Sequence, residues 1–195
     1  MARICKKRFR SRSVAGTLLL YGILITCRIA EGQKVKKGSQ TISEFQARAA
    51  EYVKVHNKAR SGLPPVKDNG SAEAVSGREQ QLAGRIRTLR RDAKHGSVFT
   101  PPISSEFRRL ANISSEGSSG KHIETSLARS EPVQFPIHVN AAYPMSDPLQ
   151  STPPTLLQNL PRLPKELEYR LVGNRLVLRD IEANLIVDYV DNFTP

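Results

Sequence analysis

Four histidines, His56, His95, His122 and His138, raise the first chemical question. Imidazole binds metals and moves protons near neutral pH. Both tasks need partners at set spacing, such as H-x-H, H-E-x-x-H or a nearby Asp. None of the four has such a neighbour, so no metal ligand is assigned. His95 reads as a helix C-terminal residue and the others as surface or partly packed side chains. A site assembled from distant segments stays open. The acids Asp180, Glu182, Asp188 and Asp191 gather near the C-terminus. Paired carboxylates can exchange protons or hold calcium. Acids alternating with apolar residues are, however, the ordinary solvent side of an amphipathic sheet. No serine lies in G-x-S-x-G or S-x-x-K, and there is no Walker loop, no G-x-G-x-x-G and no Trp. The sequence therefore names no catalytic residue and no cofactor, and it leans away from an enzyme.

The strongest surface feature is "RIRTLRRDAK" at 85–94. On a helix, Arg87, Arg90, Arg91 and Lys94 share one flank beside Leu82, Ile86, Leu89 and Ala93. Such a flank can grip phosphate or carboxylate groups or lie on an anionic membrane. The plainer alternative is a solvated face whose long stems cover the core edge.

The N-terminus indicates destination. Residues 1–13 carry six Lys and Arg and no acid, and "VAGTLLLYGILITC" at 14–27 carries no charge. This is a positive region followed by an apolar run shorter than the ~20 residues of a full span. Ala30 and Gly32 suit cleavage before Gln33. Retention as an anchor, or a buried cytosolic helix, are the alternatives. "LITC" partly matches a lipobox, which makes Cys27 a lipidation candidate, although Thr26 stands where a small residue is usual. Cys5 and Cys27 are the two cysteines, so cleavage after Gly32 leaves no disulfide or thiolate site.

Charge is polarised along the rest of the chain. Residues 33–112 hold 16 basic and seven acidic side chains, and residues 113–195 hold seven and ten. Export argues against nucleic acid as a partner. An envelope protein or an anionic envelope component fits better, with membrane contact through 14–27 if that segment is kept.

Elements must position these groups. A linker is expected at 33–42, then a helix at about 43–60 with a Ser43–Gln46 capping box. Phe45, Ala49, Tyr52, Val53 and His56 recur on it at helical intervals. A second helix is expected at about 71–95, capped by Ser71 and closed by Gly96. Its stripe is Val75, Leu82, Ile86, Leu89 and Ala93. A third spans about 101–111, with Thr100 as N-cap and Ile103, Phe107 and Leu110 inward. Residues 113–164 read as loop and Pro-rich connector, holding eight of the 13 prolines. Within it are a weak helix at 121–129, an extended or edge segment through Val133, Phe135, Ile137 and Val139, and a helical turn after Thr152 and Pro153. Residues 165–195 close the chain with a three-stranded antiparallel meander at about 167–190. Gly173-Asn174 forms its hairpin turn and "DIEAN" its looser second turn. Leu167, Tyr169, Leu171, Leu176, Leu178, Leu185, Val187 and Tyr189 make one apolar face, and helix two is its natural cover. The class is α+β, with 43–195 as one structural domain.

Two resemblances follow. "YVKVHNKARSGLPP", "LAGRIRTLRRDAKHGSVFTPPISSEFRRL", "VNAAYP" and "STPPTLLQNLPRLPKELEYRLVGNRLVLRDIEANLIVDYV" together resemble an uncharacterised family of exported bacterial proteins. That likeness implies export and assigns no activity. The ending "YRLVGNRLVLRDIEANLIVDYV" is similar to the end of RcnB-type periplasmic proteins, implicated in nickel and cobalt homeostasis. Ala183-Asn184 here replaces the Gly often found before the last strand. The resemblance implies a periplasmic β-unit and carries over no ligand. The reading is an exported envelope protein, periplasmic, extracellular or held to the inner membrane by its N-terminal segment. It acts as a non-catalytic interaction or structural module. The alternative is a metal-homeostasis accessory, and less favoured is an enzyme of unrecognised type.

Overall fold

Phe45 sits at the meeting point of the helices and the sheet. It stacks on Phe99 at 5.4 Å between ring centroids and on Tyr169 at 6.4 Å, and meets Phe107 edge-on at 4.8 Å. Its surroundings come from a computed structural model that describes residues 17–64, 71–115, 135–144 and 154–193. Helix α1 spans Thr17–Arg60, α2 Ala72–Leu89, α3 Pro101–Ser115 and the short α4 Pro154–Gln158. Strands β1 (Leu167–Val172), β2 (Arg175–Asp180) and β3 (Leu185–Val190) form an antiparallel sheet in the order β1-β2-β3. The α+β class and all three strands are where the alternation and turn residues put them. The expected helix at 121–129, Val133, Thr152 and Pro153 lie outside the described residues, while the helical turn expected after Pro153 is α4.

The chain divides into two compact units, Met1–Ser39 and Gln40–Pro195. The expected linker at 33–42 is helical, as part of α1. It contains no Pro, and Lys and Gln are good helix formers, so polarity alone does not stop a helix. Ser43 is consequently inside α1 rather than at its N-cap. Among the described residues no helix is long and apolar enough to cross a membrane.

The main core joins Phe45, Ala49 and Tyr52 of α1, Leu82 and Ile86 of α2, and Ile103 and Phe107 of α3 to Leu171, Leu176, Leu178, Leu185 and Val190 of the sheet. Helix α2 is not the sole cover. Its Val75 and Leu89 are 48% and 43% exposed, while Phe45 and Phe107 have no or almost no exposed surface. Ser71 caps α2, accepting from the Ala74 N–H at 3.3 Å. Thr100 does not cap α3 through its side chain: its buried hydroxyl has no hydrogen-bond partner. Pro101 and Pro102 have already removed two N–H groups from that first turn.

The sheet is apolar on both faces, not one. Val172, Val177 and Ile186 form a second cluster with Ile137 and Tyr143, and Phe135 packs beside it. The 135–144 segment reaches this cluster along the β3 edge. The N–H groups of Asn140 and Tyr143 donate to the Ile186 and Asn184 carbonyls at 2.8 Å each, and the Ile186 N–H donates to the Ala141 carbonyl at 2.9 Å. Among the described residues the segment makes one bridge to the sheet, Ala142 to Leu185. Asn140 has φ 65°, which breaks extended backbone, and Pro136 and Pro144 have no N–H to offer a ladder.

Both sheet turns use a positive φ. Gly173 takes φ 58° at the first central position of the β1–β2 hairpin, the pattern of a type II′ turn. Asn184 takes φ 50° before β3, where its amide suits the left-handed region better than most side chains.

Candidate functional site

The pairing of β2 with β3 slips once. Leu178 opposes Asp188 while Arg179 opposes Ile186, which leaves Val187 as an extra residue. A bulge of this kind reverses the side-chain alternation beyond it. Without it, Tyr189 would face the main core and Asp188 the other side. With it, Val190 joins the main core, Tyr189 packs against the second cluster, and Asp188 is fully buried.

Asp188 turns inward onto the loop between α2 and α3. Its Oδ2 accepts from the N–H groups of Val98 at 2.7 Å and Phe99 at 2.9 Å. Its Oδ1 accepts from Gly96 N–H at 3.1 Å and from its neighbour Tyr189 N–H at 2.9 Å. His95 Nδ1 stands 3.2 Å from the same Oδ1, and its ring stacks on Tyr189 at 4.1 Å. His95 therefore belongs to a loop wrapped around a carboxylate, not to a helix end.

Asp180 is the second buried acid. Its Oδ2 accepts from the Tyr52 hydroxyl at 2.7 Å and faces His56 Nδ1 at 2.6 Å, and its Oδ1 accepts from Ala183 N–H at 2.8 Å. Tyr52 and His56 are four residues apart on α1, so they lie on one helix face. His56 and Asp180 have no exposed surface. The other ring nitrogen, His56 Nε2, makes no hydrogen bond but lies 3.3 Å from Glu182 Oε2. Glu182 also meets Arg60 Nε at 3.3 Å and accepts from Arg78 at 2.9 Å. Arg78 reaches on to the Pro64 carbonyl. Burial alone lowers the His56 pKa, but the hydrogen bond and charge of Asp180, followed by Glu182, outweigh it and hold it above the ordinary value. Burial, and then Asp180, push Tyr52 upward.

These two clusters correct the expectation of solvent-facing acids for Asp180 and Asp188, whereas Glu182 and Asp191 stay partly exposed. The same surroundings reassign Arg90. Helix α2 ends at Leu89, and Arg90 has φ −117° and ψ 25°. Its guanidinium lies 4.8 Å from the Tyr52 ring centroid and donates to Asn140 Oδ1 at 2.8 Å and the Val187 carbonyl at 3.1 Å. Asn140 returns a bond to the Arg90 carbonyl at 2.9 Å. Arg90 is thus a cross-tie of the core edge. Burial lowers its pKa, against the charges of Tyr52, Asp188 and Asp180. The expected four-residue flank does not form, because the helix stops before its second half. Arg87 is exposed and donates to the Asn140 carbonyl at 2.9 Å. Arg91 is exposed beside Asp92, and Lys94 is exposed on the following loop.

The remaining candidates fall elsewhere. Cys27 lies on α1 within the first unit. His138 is exposed, and His122 and Cys5 lie outside the described residues. Among the described residues no group of three or more His, Cys, Asp or Glu is placed to hold a metal ion. A groove of about 480 Å³ lies between α4 and β1, lined by Leu157, Leu160, Leu163 and Tyr169 with Arg162 and Glu168. It shares no residue with either buried acid cluster. Sequence reasoning registered His56 on the apolar stripe of α1 but missed its partner. The available signal was a histidine placed at helical spacing among core residues, four positions after Tyr52. Compared with family models, curated proteins and solved structures, the chain matches none.

Proposed function

We propose that this chain is a non-catalytic interaction or structural module of the cell envelope. The observation that carries this reading is the enclosure of three acid-base groups, while His95 and His138 stay exposed. Asp180, Asp188 and His56 have no exposed surface, and each carboxylate is bound by groups of the fold itself. A general acid or base must come within hydrogen-bond reach of a substrate atom. Three cations, Arg87, Arg91 and Lys94, are exposed at and just beyond the end of α2, with the exposed Asp92 among them. In this reading they meet an anionic envelope component or an acidic partner protein. The basic then apolar N-terminus supports export, to the periplasm or cell exterior or to the inner-membrane surface.

The test is site-specific photocrosslinking in intact bacterial cells with a probe at position 92. An adduct in the envelope fraction is expected, and it should be lost when Arg87, Arg91 and Lys94 are all changed to Glu. Circular dichroism would confirm that the changed chain folds. An adduct that survives the charge reversal, or no adduct from the folded native chain, contradicts the reading.

A further inference from the structure

The environment of His56 selects one protonation state by geometry. Both ring nitrogens face carboxylate oxygens, Asp180 Oδ2 at 2.6 Å and Glu182 Oε2 at 3.3 Å. A neutral imidazole carries one N–H, so neither tautomer offers a proton to both acids. Only the imidazolium is attracted to both, through the short Asp180 contact and an ion pair with Glu182 that lacks hydrogen-bond geometry. The charged and titratable groups around it come from three directions. Helix α1 supplies Tyr52 and Arg60, α2 supplies Arg78, and the end of β2 with its turn supplies Asp180 and Glu182. Arg90 lies behind, over the Tyr52 ring.

We propose that His56, gripped between Asp180 and Glu182, is a pH-sensitive latch that fastens the C-terminal turns of α1 to the β2–β3 turn. When the ring loses a proton, the short contact to Asp180 keeps the remaining N–H. The bare Nε2 lone pair then faces the Glu182 carboxylate, and attraction becomes repulsion. Glu182 is one-third exposed and already held by Arg60, which is half exposed. It can therefore turn away from the ring while keeping Arg60 and Arg78, and the turn at 181–184 loses its tie to His56 through Glu182.

The direction of release follows from linkage. The folded-state pKa of His56 lies above the ordinary imidazole value. Its contribution to stability is therefore complete below about pH 6.5 and is lost as pH rises through the raised value. The latch is closed in acid and opens as pH rises through that raised value.

Hydrogen exchange of the full chain, corrected for intrinsic rates, tests this between about pH 6 and about pH 9. Protection of residues 52–60 and 181–184 should fall several-fold as pH rises across that range. Residues 103–111 of α3 should keep their protection. In Glu182→Gln, which leaves the fully buried Asp180 pair in place, the fall should move to lower pH. His56→Gln should abolish the step if it folds, but the conclusion does not depend on it. Protection that is level across pH, that falls equally in α3, or that falls at the same pH in Glu182→Gln overturns the proposal.

Discussion

Asp180 and Asp188 are both fully buried carboxylates on neighbouring strands, yet they are satisfied by different kinds of donor. Asp188 is surrounded mainly by backbone N–H groups, those of Gly96, Val98, Phe99 and Tyr189. Those four donors do not titrate, so most of the hydrogen bonds to Asp188 are the same at any pH in which the fold persists, with His95 Nδ1 as one further contact at 3.2 Å. Asp180 is held by the side chains of Tyr52 and His56 and by one N–H, from Ala183. One of those donors titrates near neutrality. The comparison teaches that burial alone does not make an ionisable group responsive: the chemistry of the donors around it decides.

The largest effect that would test this contrast is at Asp188. Asp188→Ala removes the acceptor from several loop N–H groups at once and should cost about 3–5 kcal/mol, as for a broken buried ionic network. Urea unfolding at several pH values should give a similar loss throughout. A loss that varies strongly with pH would blur the distinction between the two acids. His56→Gln comes next, at about 2–3 kcal/mol near neutral pH, because it removes a charge-assisted bond and leaves a buried acid short of a partner. Its cost should shrink toward alkaline pH, where the native imidazole has itself lost the proton. Equal costs at neutral and alkaline pH would argue against a charged His56.

The acid limb should belong to a third carboxylate. Burial raises the Glu168 pKa, but hydrogen bonds and charge from Arg170 and Arg179 more than offset this and hold it below the ordinary value. Its contribution is therefore present above the ordinary carboxylate range and is lost as pH falls through the folded value. Glu168→Gln should flatten the acid side of the stability profile and cost about 1 kcal/mol at neutral pH, a modest figure because the group is partly exposed. An unchanged acid limb would assign that limb elsewhere. The smallest effect concerns Thr100, whose buried hydroxyl has no partner. Thr100→Val should leave thermal stability level or raise it by up to about 1 kcal/mol, since it removes a polar group without breaking a bond. A clear loss would show that this hydroxyl is satisfied after all.

Much of the fold was legible because local signals agreed. Alternating apolar residues on either side of Gly173-Asn174 and the DIEAN turn placed a three-stranded meander at about 167–190, where the three strands lie. Pro101 and the Phe107 face likewise located α3. The buried acids were not legible, for a physical reason. Simple alternation puts Leu185, Val187 and Tyr189 together, and one extra residue at Val187 exchanges the roles of Asp188 and Tyr189. A bulge leaves no trace in hydropathy. Arg90 was misread for a related reason. Its neighbours in sequence are exposed cations, whereas its partners, Tyr52, Asn140 and Val187, are distant in the chain. The His56–Asp180 pair is separated by 124 positions, so no spacing rule finds it. Only the helical register of Tyr52 and His56 hinted that an imidazole faced the core.

The most direct measurement is the pH titration of the His56 ring nitrogens by ¹⁵N NMR in the full chain. Nδ1 and Nε2 should both be protonated below a midpoint that lies above the ordinary imidazole value of about 6.5. A midpoint at or below that value, or a ring with one protonated nitrogen throughout, would contradict a charged, doubly gripped His56.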